Sequence, residues 1–320
     1  MNKIAIITSG GDAPGMNAAL RACVRYALNS GFEVYGAERG YAGLVDGSIV
    51  KLDSRSVSNI LHRGGTVLKT ARCPEFKDVN VQKIAADNLR KQGIENLIVI
   101  GGDGSFNGAK ALSDNFGISV VGIPATIDND LAYTDYTLGF DTAVNTCLVA
   151  INNLRDTMGS HDRAFMLEVM GRNCGDIALY ASICGGAEFC LIPEMPYDVE
   201  KIALTMKENV EKGKASNMII IAEGVEGKEK IASKITELTG IGVKYTNFGH
   251  IIRGGSPTMA DRILATRMAV RAVEVIKERK TNRVIGIKNN EIFDANITDA
   301  LSMPRKLNEE LYKVAGILAL

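Results

Sequence analysis

The chain has 320 residues, and its 37 Lys and Arg balance its 37 Asp and Glu, so the formal net charge is zero. Hydrophobic residues make up 46% and charged residues 23%, ordinary proportions for a globular protein with room for one large or two smaller domains. This balance argues against a broad nucleic-acid footprint, and no apolar run reaches the length of a membrane span.

The opening Met1-Asn2-Lys3-Ile4-Ala5-Ile6-Ile7-Thr8 reads as a first strand, not as a signal peptide. Strand 4–8 leads into Ser9-Gly10-Gly11-Asp12-Ala13-Pro14-Gly15-Met16-Asn17, and a helical pattern then runs to Asn29. On that helix Arg21 and Arg25 lie four apart and share one face. A short strand near 33–37 precedes a glycine-rich, irregular stretch containing Gly40-Tyr41-Ala42-Gly43, Arg63-Gly64-Gly65-Thr66 and Thr70-Ala71-Arg72-Cys73. Long irregular connections of this kind are more often functional than filler. A helix over 79–92 feeds an apolar strand, 96–100, that ends in Gly101-Gly102-Asp103-Gly104-Ser105. Val120-Val121-Gly122-Ile123 ends in Pro124-Ala125-Thr126-Ile127-Asp128-Asn129-Asp130.

The pattern then predicts helix 141–157, strand 164–169, the glycine turn Met170-Gly171-Arg172-Asn173-Cys174-Gly175-Asp176, strand 189–192, helix 198–212 and strand 218–222. Helix 228–238 and a short strand at 243–247 lead to Gly249-His250-Ile251-Ile252-Arg253-Gly254-Gly255-Ser256-Pro257. A long helix over 258–278, strand 282–287 and helical segments finish the chain. This βα alternation predicts an α/β protein of stacked parallel sheets with helices on both faces, and a domain change near Gly139. The six cysteines form no Cys-x-x-Cys pair and the three histidines stand apart, so reduced thiols in a cytoplasmic protein are expected, without zinc.

Two acidic turns after buried strands place carboxylates where open α/β sheets bind ligands. Asp103, Asp128 and Asp130 would repel a phosphate unless a cation joined them, which points to Mg²⁺ and phosphoryl transfer. Asp103 is placed to hold the metal beside phosphates cradled by Gly11, Gly102 and Gly104. Asp128 and Asp130 divide proton acceptance and metal binding, Thr126 faces the moving phosphoryl group, and Arg72 and Arg172 neutralise developing charge. A sugar-phosphate acceptor would account for Arg163, Arg172, His250 and Arg253. The plainer alternative is that Asp-Asn-Asp closes an Asx-turn and His250 is a structural histidine.

These turns, with Glu168-Val169-Met170-Gly171-Arg172 and Gly249–Pro257, resemble the bacterial ATP-dependent 6-phosphofructokinases in order and spacing over essentially the whole chain. The resemblance implies two three-layer α/β/α domains, with ATP on residues 1–139 plus 253–303 and sugar phosphate on 140–252 plus 304–320. It implies Mg-ATP phosphorylating the 1-hydroxyl of fructose 6-phosphate in a homotetramer. By the same resemblance Asp128 is the base and Thr126, Arg172 and Gly11 assist. Asp103 serves Mg²⁺, and Tyr41, Arg72, Cys73, Gly102, Gly104 and Ser105 line the nucleotide. Met170, Gly171, Glu223, His250 and Arg253 bind sugar phosphate, with Arg163 reaching in from a neighbouring subunit. An effector site for ADP or phosphoenolpyruvate maps to Arg21, Arg25, Arg155, Gly186, Glu188, Lys212 and Lys214.

Three positions depart from the pattern. Lys244 stands where a neighbouring subunit's arginine is expected on the 6-phosphate, which predicts weaker sugar-phosphate binding. Ser54 stands where an effector-site arginine is expected, with Arg55 next to it, and Ala125 replaces a glycine. Pyrophosphate-dependent relatives carry Asp and Lys where this chain has Gly104 and Ala125, so the small residues favour ATP. Competing readings are a kinase of the NAD or diacylglycerol type, and a weak paralogue acting on another sugar phosphate or sensing nucleotide.

Overall fold

The computed structural model describes residues 3–158, 164–214 and 217–319. The chain forms two compact units. The larger takes Met1–Ile127, Leu131–Thr142 and Arg253–Arg305, and the smaller takes Asp128–Asp130, Ala143–Ile252 and Lys306–Leu320.

The larger unit begins β1 (Lys3–Thr8), α1 (Met16–Asn29), β2 (Glu33–Ala37), α2 (Tyr41–Asp46), β3 (Ile49–Leu52), α3 (Val79–Lys91), β4 (Asn96–Gly101), α4 (Asp103–Phe116) and β5 (Ser119–Pro124). The long helix α5 (Phe140–Met158) carries the chain into the smaller unit. There follow β6 (Ala164–Val169), α6 (Asp176–Gly185), β7 (Phe189–Leu191), α7 (Val199–Glu211), β8 (Asn217–Ala222), α8 (Lys228–Thr239) and β9 (Val243–Asn247). The larger unit is completed by α9 (Met259–Lys277), β10 (Arg283–Lys288), β11 (Glu291–Asn296) and α10 (Ile297–Ser302), and α11 (Glu309–Leu318) returns to the smaller.

In the larger unit seven strands run in the order β11-β10-β5-β4-β1-β2-β3. All neighbouring pairs are parallel except the edge pairs β10–β11 and β2–β3. Alternate residues feed opposite faces. Ala5, Ile7, Leu97, Val99 and Val120 pack under α2, α3, α4 and α10, while α1 and α9 pair on the other side. Both faces are therefore dry, which explains the unbroken apolar runs of β1, β4 and β5. The order reverses between β1 and β4, so the turns after these strands flank the switch point where such sheets leave a crevice.

The smaller unit has a four-stranded, wholly parallel sheet in the order β7-β8-β6-β9. One face, with Ala164, Met166, Ile219 and Ile221, packs on α7 and α8.

The α/β architecture matches the sequence reading, with two differences of detail. The two antiparallel edge strands break strict βα alternation: β3 has only four residues, and β11 (Glu-Ile-Phe-Asp-Ala-Asn) is too polar to read as a buried strand. Within the stretch read as irregular, residues 41–46 form a short helix, begun at Gly40 with φ 63° and ended at Gly47 with φ 73°.

Candidate active site

In the larger unit the candidate nucleotide residues sit on turns built from glycine. Gly10 (φ 87°) and Gly15 (φ 101°) hold left-handed conformations that let the chain leave β1 and enter α1. Gly101 ends β4 with no room for a side chain: a Cβ there would lie 2.6 Å from both the Ser105 hydroxyl and the Ser9 carbonyl. Gly102 and Asp103 then open α4, so backbone N–H groups and the positive helix end face the same point. A Cβ at Gly104 would meet nothing within 4 Å, leaving open space in front of the turn. Thr126 follows β5, the direct neighbour of β4, and its Cβ lies 3.6 Å from where a Gly102 Cβ would be.

The side chains here mostly brace the turns. Tyr41, 6% exposed, donates its hydroxyl to the Ser105 carbonyl and packs its ring against Phe76, so it supports the turn from below. Ser105 is buried, whereas Arg72 is exposed. The Cys73 thiol is pushed up to about 11, chiefly by burial and then by Glu75, and stays protonated at neutral pH. Arg253 reaches the Asp12 carbonyl at 3.4 Å, and a Cβ on Gly11 would stand 2.4 Å from its Nη1.

Asn17, quoted within the first glycine motif but given no role from the sequence, is the hidden brace of this half. Its buried amide donates to the carbonyls of Arg63 (3.0 Å) and Gly64 (3.2 Å) and accepts from Val67 N (2.8 Å). Thr66 donates to Thr8 (2.9 Å), and Thr70 to the Gly10 carbonyl (2.7 Å). The irregular 63–70 segment is thereby lashed to the end of β1. Its signal was present as a glycine-rich, positively charged stretch without period, but the partners of Thr66 and Thr70 were not legible.

Asp103 is exposed at the first turn of α4, and its carboxylate accepts from Asn107 at 3.2 Å. Among the described residues no three His, Cys, Asp or Glu side chains converge as a metal cage. One exposed carboxylate does fit Mg²⁺, which keeps its waters and takes most other ligands from phosphates.

In the smaller unit the candidate residues are held by one another. Asp128 is 1% exposed, and the Arg172 Nε stands 3.3 Å from its Oδ2. A buried carboxylate without a cation is costly, so this pair explains how Asp128 is tolerated. The segment is anchored twice more: Cys174 Sγ donates to the Asp128 carbonyl at 2.9 Å, and Asn129 Nδ2 to Asp176 at 2.9 Å. Asp130 is half-buried.

Arg172 has φ 53° and Asn129 φ 52°, left-handed conformations rare outside glycine. Gly171 has φ 139°, and a Cβ on it would lie 2.3 Å from the Cys174 carbonyl, so only glycine fits. The Glu223 carboxylate holds this turn open by accepting from Gly171 N (3.1 Å) and Arg172 N (2.6 Å). Met170 is buried at 8%, and His250 is exposed on a short 3-10 turn, Gly249–Arg253. Lys244 is exposed on the edge strand β9. Arg163 lies outside the described residues.

The residues read as an effector site fall in two groups. In the larger unit Arg21 is half-buried, and Arg25 donates to the Ser54 carbonyl at 3.5 Å beside exposed Arg55. In the smaller, Arg155 donates to the carbonyls of Gly185 (2.9 Å) and Gly186. Glu188 accepts from Met218 N (2.6 Å) and pairs with Lys214 at 3.2 Å, while Lys212 is exposed.

Residues 3–276 match the family described as Phosphofructokinase. The chain is 57% identical over 318 residues to "ATP-dependent 6-phosphofructokinase 1" of Clostridium perfringens, covering 99% of each chain. It is also 57% identical over 319 residues to "ATP-dependent 6-phosphofructokinase" of Clostridium tetani, covering all of both. Among solved structures it aligns with phosphofructokinase from Saccharomyces cerevisiae at a TM-score of 0.89 and 34% identity, covering 99% of this chain and 47% of that one. A pyrophosphate-dependent phosphofructokinase from Marinobacter aquaeolei shares the fold at a TM-score of 0.85 and 20% identity, covering 97% of this chain and 86% of that one.

Proposed function

The chain belongs to the phosphofructokinase family, and from that premise we propose that it transfers the γ-phosphoryl group of Mg-ATP to the 1-hydroxyl of fructose 6-phosphate, forming fructose 1,6-bisphosphate. The observation that carries the reading is the buried Asp128 carboxylate with its adjacent Arg172, 3.3 Å away. Asp128 accepts the hydroxyl proton as the sugar oxygen attacks the γ-phosphorus. Arg172 has 64% of its side chain exposed and keeps N–H donors beyond the one turned to Asp128, which serve the phosphoryl oxygens. Thr126, two residues before Asp128, adds a hydroxyl on the donor side.

Gly11, Gly102 and Gly104 give the phosphates backbone donors without steric cost, with Tyr41, Arg72, Cys73 and Ser105 around the nucleotide. Mg²⁺, when bound, spreads the charge of the β- and γ-phosphates, and Asp103 is the residue that would hold it. The open space at Gly104 and the small, buried Ala125 support a nucleotide donor over pyrophosphate. Glu223, Met170, Gly171, His250 and Arg253 take the sugar phosphate. In a homotetramer Arg163 and Lys244 would come from a neighbouring subunit, and ADP or phosphoenolpyruvate would bind in one effector site between subunits that draws on both groups. The six free cysteines suit the reducing cytoplasm as the place of this reaction.

The test is an assay of the purified chain that couples fructose 1,6-bisphosphate formation to NADH oxidation. Turnover with Mg-ATP and none with pyrophosphate is expected. Turnover with pyrophosphate alone, or none on fructose 6-phosphate with either donor, would overturn the reading.

A further inference from the structure

Glu168 follows Ala164 and Met166 in alternation on β6, on the face of the smaller sheet that packs under α8, and is a buried carboxylate with its side chain 8% exposed. It sits one residue from the end of β6, beside Ile221 on β8 and Asn247 on β9. Two side chains compensate its charge. Lys228, the first residue of α8, places Nζ 3.1 Å from Oε1. Tyr245, on β9 in register with Met166, donates its hydroxyl to Oε2. Burial and then the Glu168 hydrogen bond push the Tyr245 phenol up to about 12, so it remains a donor throughout the physiological range.

Lys228 has a second bond, from Nζ to the Glu223 backbone carbonyl at 2.7 Å. Glu223 is the residue whose carboxylate receives Gly171 N and Arg172 N. The Glu168 backbone carbonyl also accepts from Phe248 N at 3.1 Å, just before Gly249-His250. One ammonium group thus ties the end of β6 to the residue after β8, and one carboxylate ties β6 to β9. These are the strand ends that carry Met170–Arg172, Glu223 and His250.

We infer that Lys228 and Tyr245 are positioning residues for the sugar-phosphate half of the reaction, acting through Glu168 and the Glu223 backbone. Neither touches the reacting atoms. Lys228 anchors the Glu223 backbone, the Glu223 carboxylate holds the left-handed backbone of Arg172, and Arg172 meets Asp128. Without the ammonium, Glu168 is a buried carboxylate with one neutral donor, and its relief is to draw water or shift toward solvent, taking β6 and the 170–172 turn with it. The inference rests on the proposed reaction, since it assigns these residues to binding of its acceptor.

Lys228→Met keeps the alkyl stem and removes both bonds. It should raise the KM for fructose 6-phosphate about tenfold, the size of one lost charged hydrogen bond, and leave the KM for Mg-ATP within about twofold. Lys228→Arg should restore the sugar KM. Tyr245→Phe, a milder change that removes only the hydroxyl, should raise the sugar KM about threefold. The double variant should fall short of the product of the single effects, because both act on Glu168. If Lys228→Met does not fold, Tyr245→Phe decides alone. A lowered Tm with the sugar KM unchanged, or equal increases for both substrates, would overturn the inference while the parent reading stands. A wild-type chain inactive on fructose 6-phosphate would overturn both, and is seen before any variant is made.

Discussion

The larger unit presents its candidate ligand turns as bare backbone, whereas the smaller presents side chains locked to one another. After β1 and β4 the turns are Gly10-Gly11 and Gly101-Gly102-Asp103-Gly104, and the bracing side chains Asn17, Tyr41 and Thr70 bond to backbone carbonyls from behind. After β6 and β8 the turn depends on Arg172 with Asp128, Glu223 with two N–H groups, and Lys228 with Glu168. A phosphate chain needs many weak donors at close approach, which glycine supplies. A single proton transfer needs one carboxylate at one place, which only a braced side chain supplies.

This difference predicts that added bulk and altered charge act differently in the two units. Among the changes that set one unit against the other, the largest effect comes from adding a methyl group to the braced turn. Gly171→Ala puts a Cβ 2.3 Å from the Cys174 carbonyl at φ 139°, so the backbone must move and Arg172 with it. We expect kcat to fall by about 10²-fold, equivalent to misplacing one transition-state donor, with the KM for Mg-ATP little changed. Steady-state kinetics against each substrate checks it.

Gly104→Asp is the matching change in the larger unit. The fold accepts the side chain, because nothing lies within 4 Å of its Cβ. Its charge should raise the KM for Mg-ATP about tenfold and leave the sugar KM alone. A rise in the sugar KM instead would erase the contrast between the units.

A smaller effect is expected at the exposed edge strand. Lys244→Arg exchanges a point charge for a bidentate fork and should lower the KM for fructose 6-phosphate about threefold. An unchanged KM would show that this position does not meet the 6-phosphate.

The smallest effect lies away from either turn. Asp294 pairs with Arg271 and with Arg283 at 2.8 Å, its side chain 7% exposed. Burial raises its pKa, but the hydrogen bonds from these two arginines outweigh it and hold the carboxyl below its usual range. A depressed folded pKa contributes stability above the unfolded value of about 4, lost as pH falls through the folded value. Asp294→Asn should therefore lower Tm by about 2–4 °C at pH 7 and progressively less below pH 4. Equal losses at both ends of that range would refute the linkage.

The sheet strands were legible because both faces of β1, β4, β5, β6 and β8 are buried, which writes a mostly apolar run into the sequence, interrupted in β6 by Glu168. The edge strands β3 and β11 were not, since a short or polar strand at an edge carries no such run. Among the candidate residues, Gly101, Asp103, Asp128 and Arg172 lie in turns that follow recognisable strands, so their neighbourhood could be read. Lys228 and Tyr245 could not be found that way. Their meeting at Glu168 depends on the register of β9 against β6 and on where α8 begins, neither of which has a local signature. Asn17 lay in a quoted motif, but its partners at 63–67 are remote in the chain.

In the proposed transfer Asp128 removes the sugar hydroxyl proton. Asp128→Asn keeps the shape and the site of the Arg172 contact while abolishing the base. The direct measurement is kcat for this variant beside calorimetric binding of fructose 6-phosphate and of a non-hydrolysable Mg-ATP analogue. If Asp128 is the base, kcat falls about 10³-fold while both ligands bind within about threefold of wild type. Turnover within about fivefold of wild type, or loss of activity matched by an equal loss of sugar binding, would contradict it.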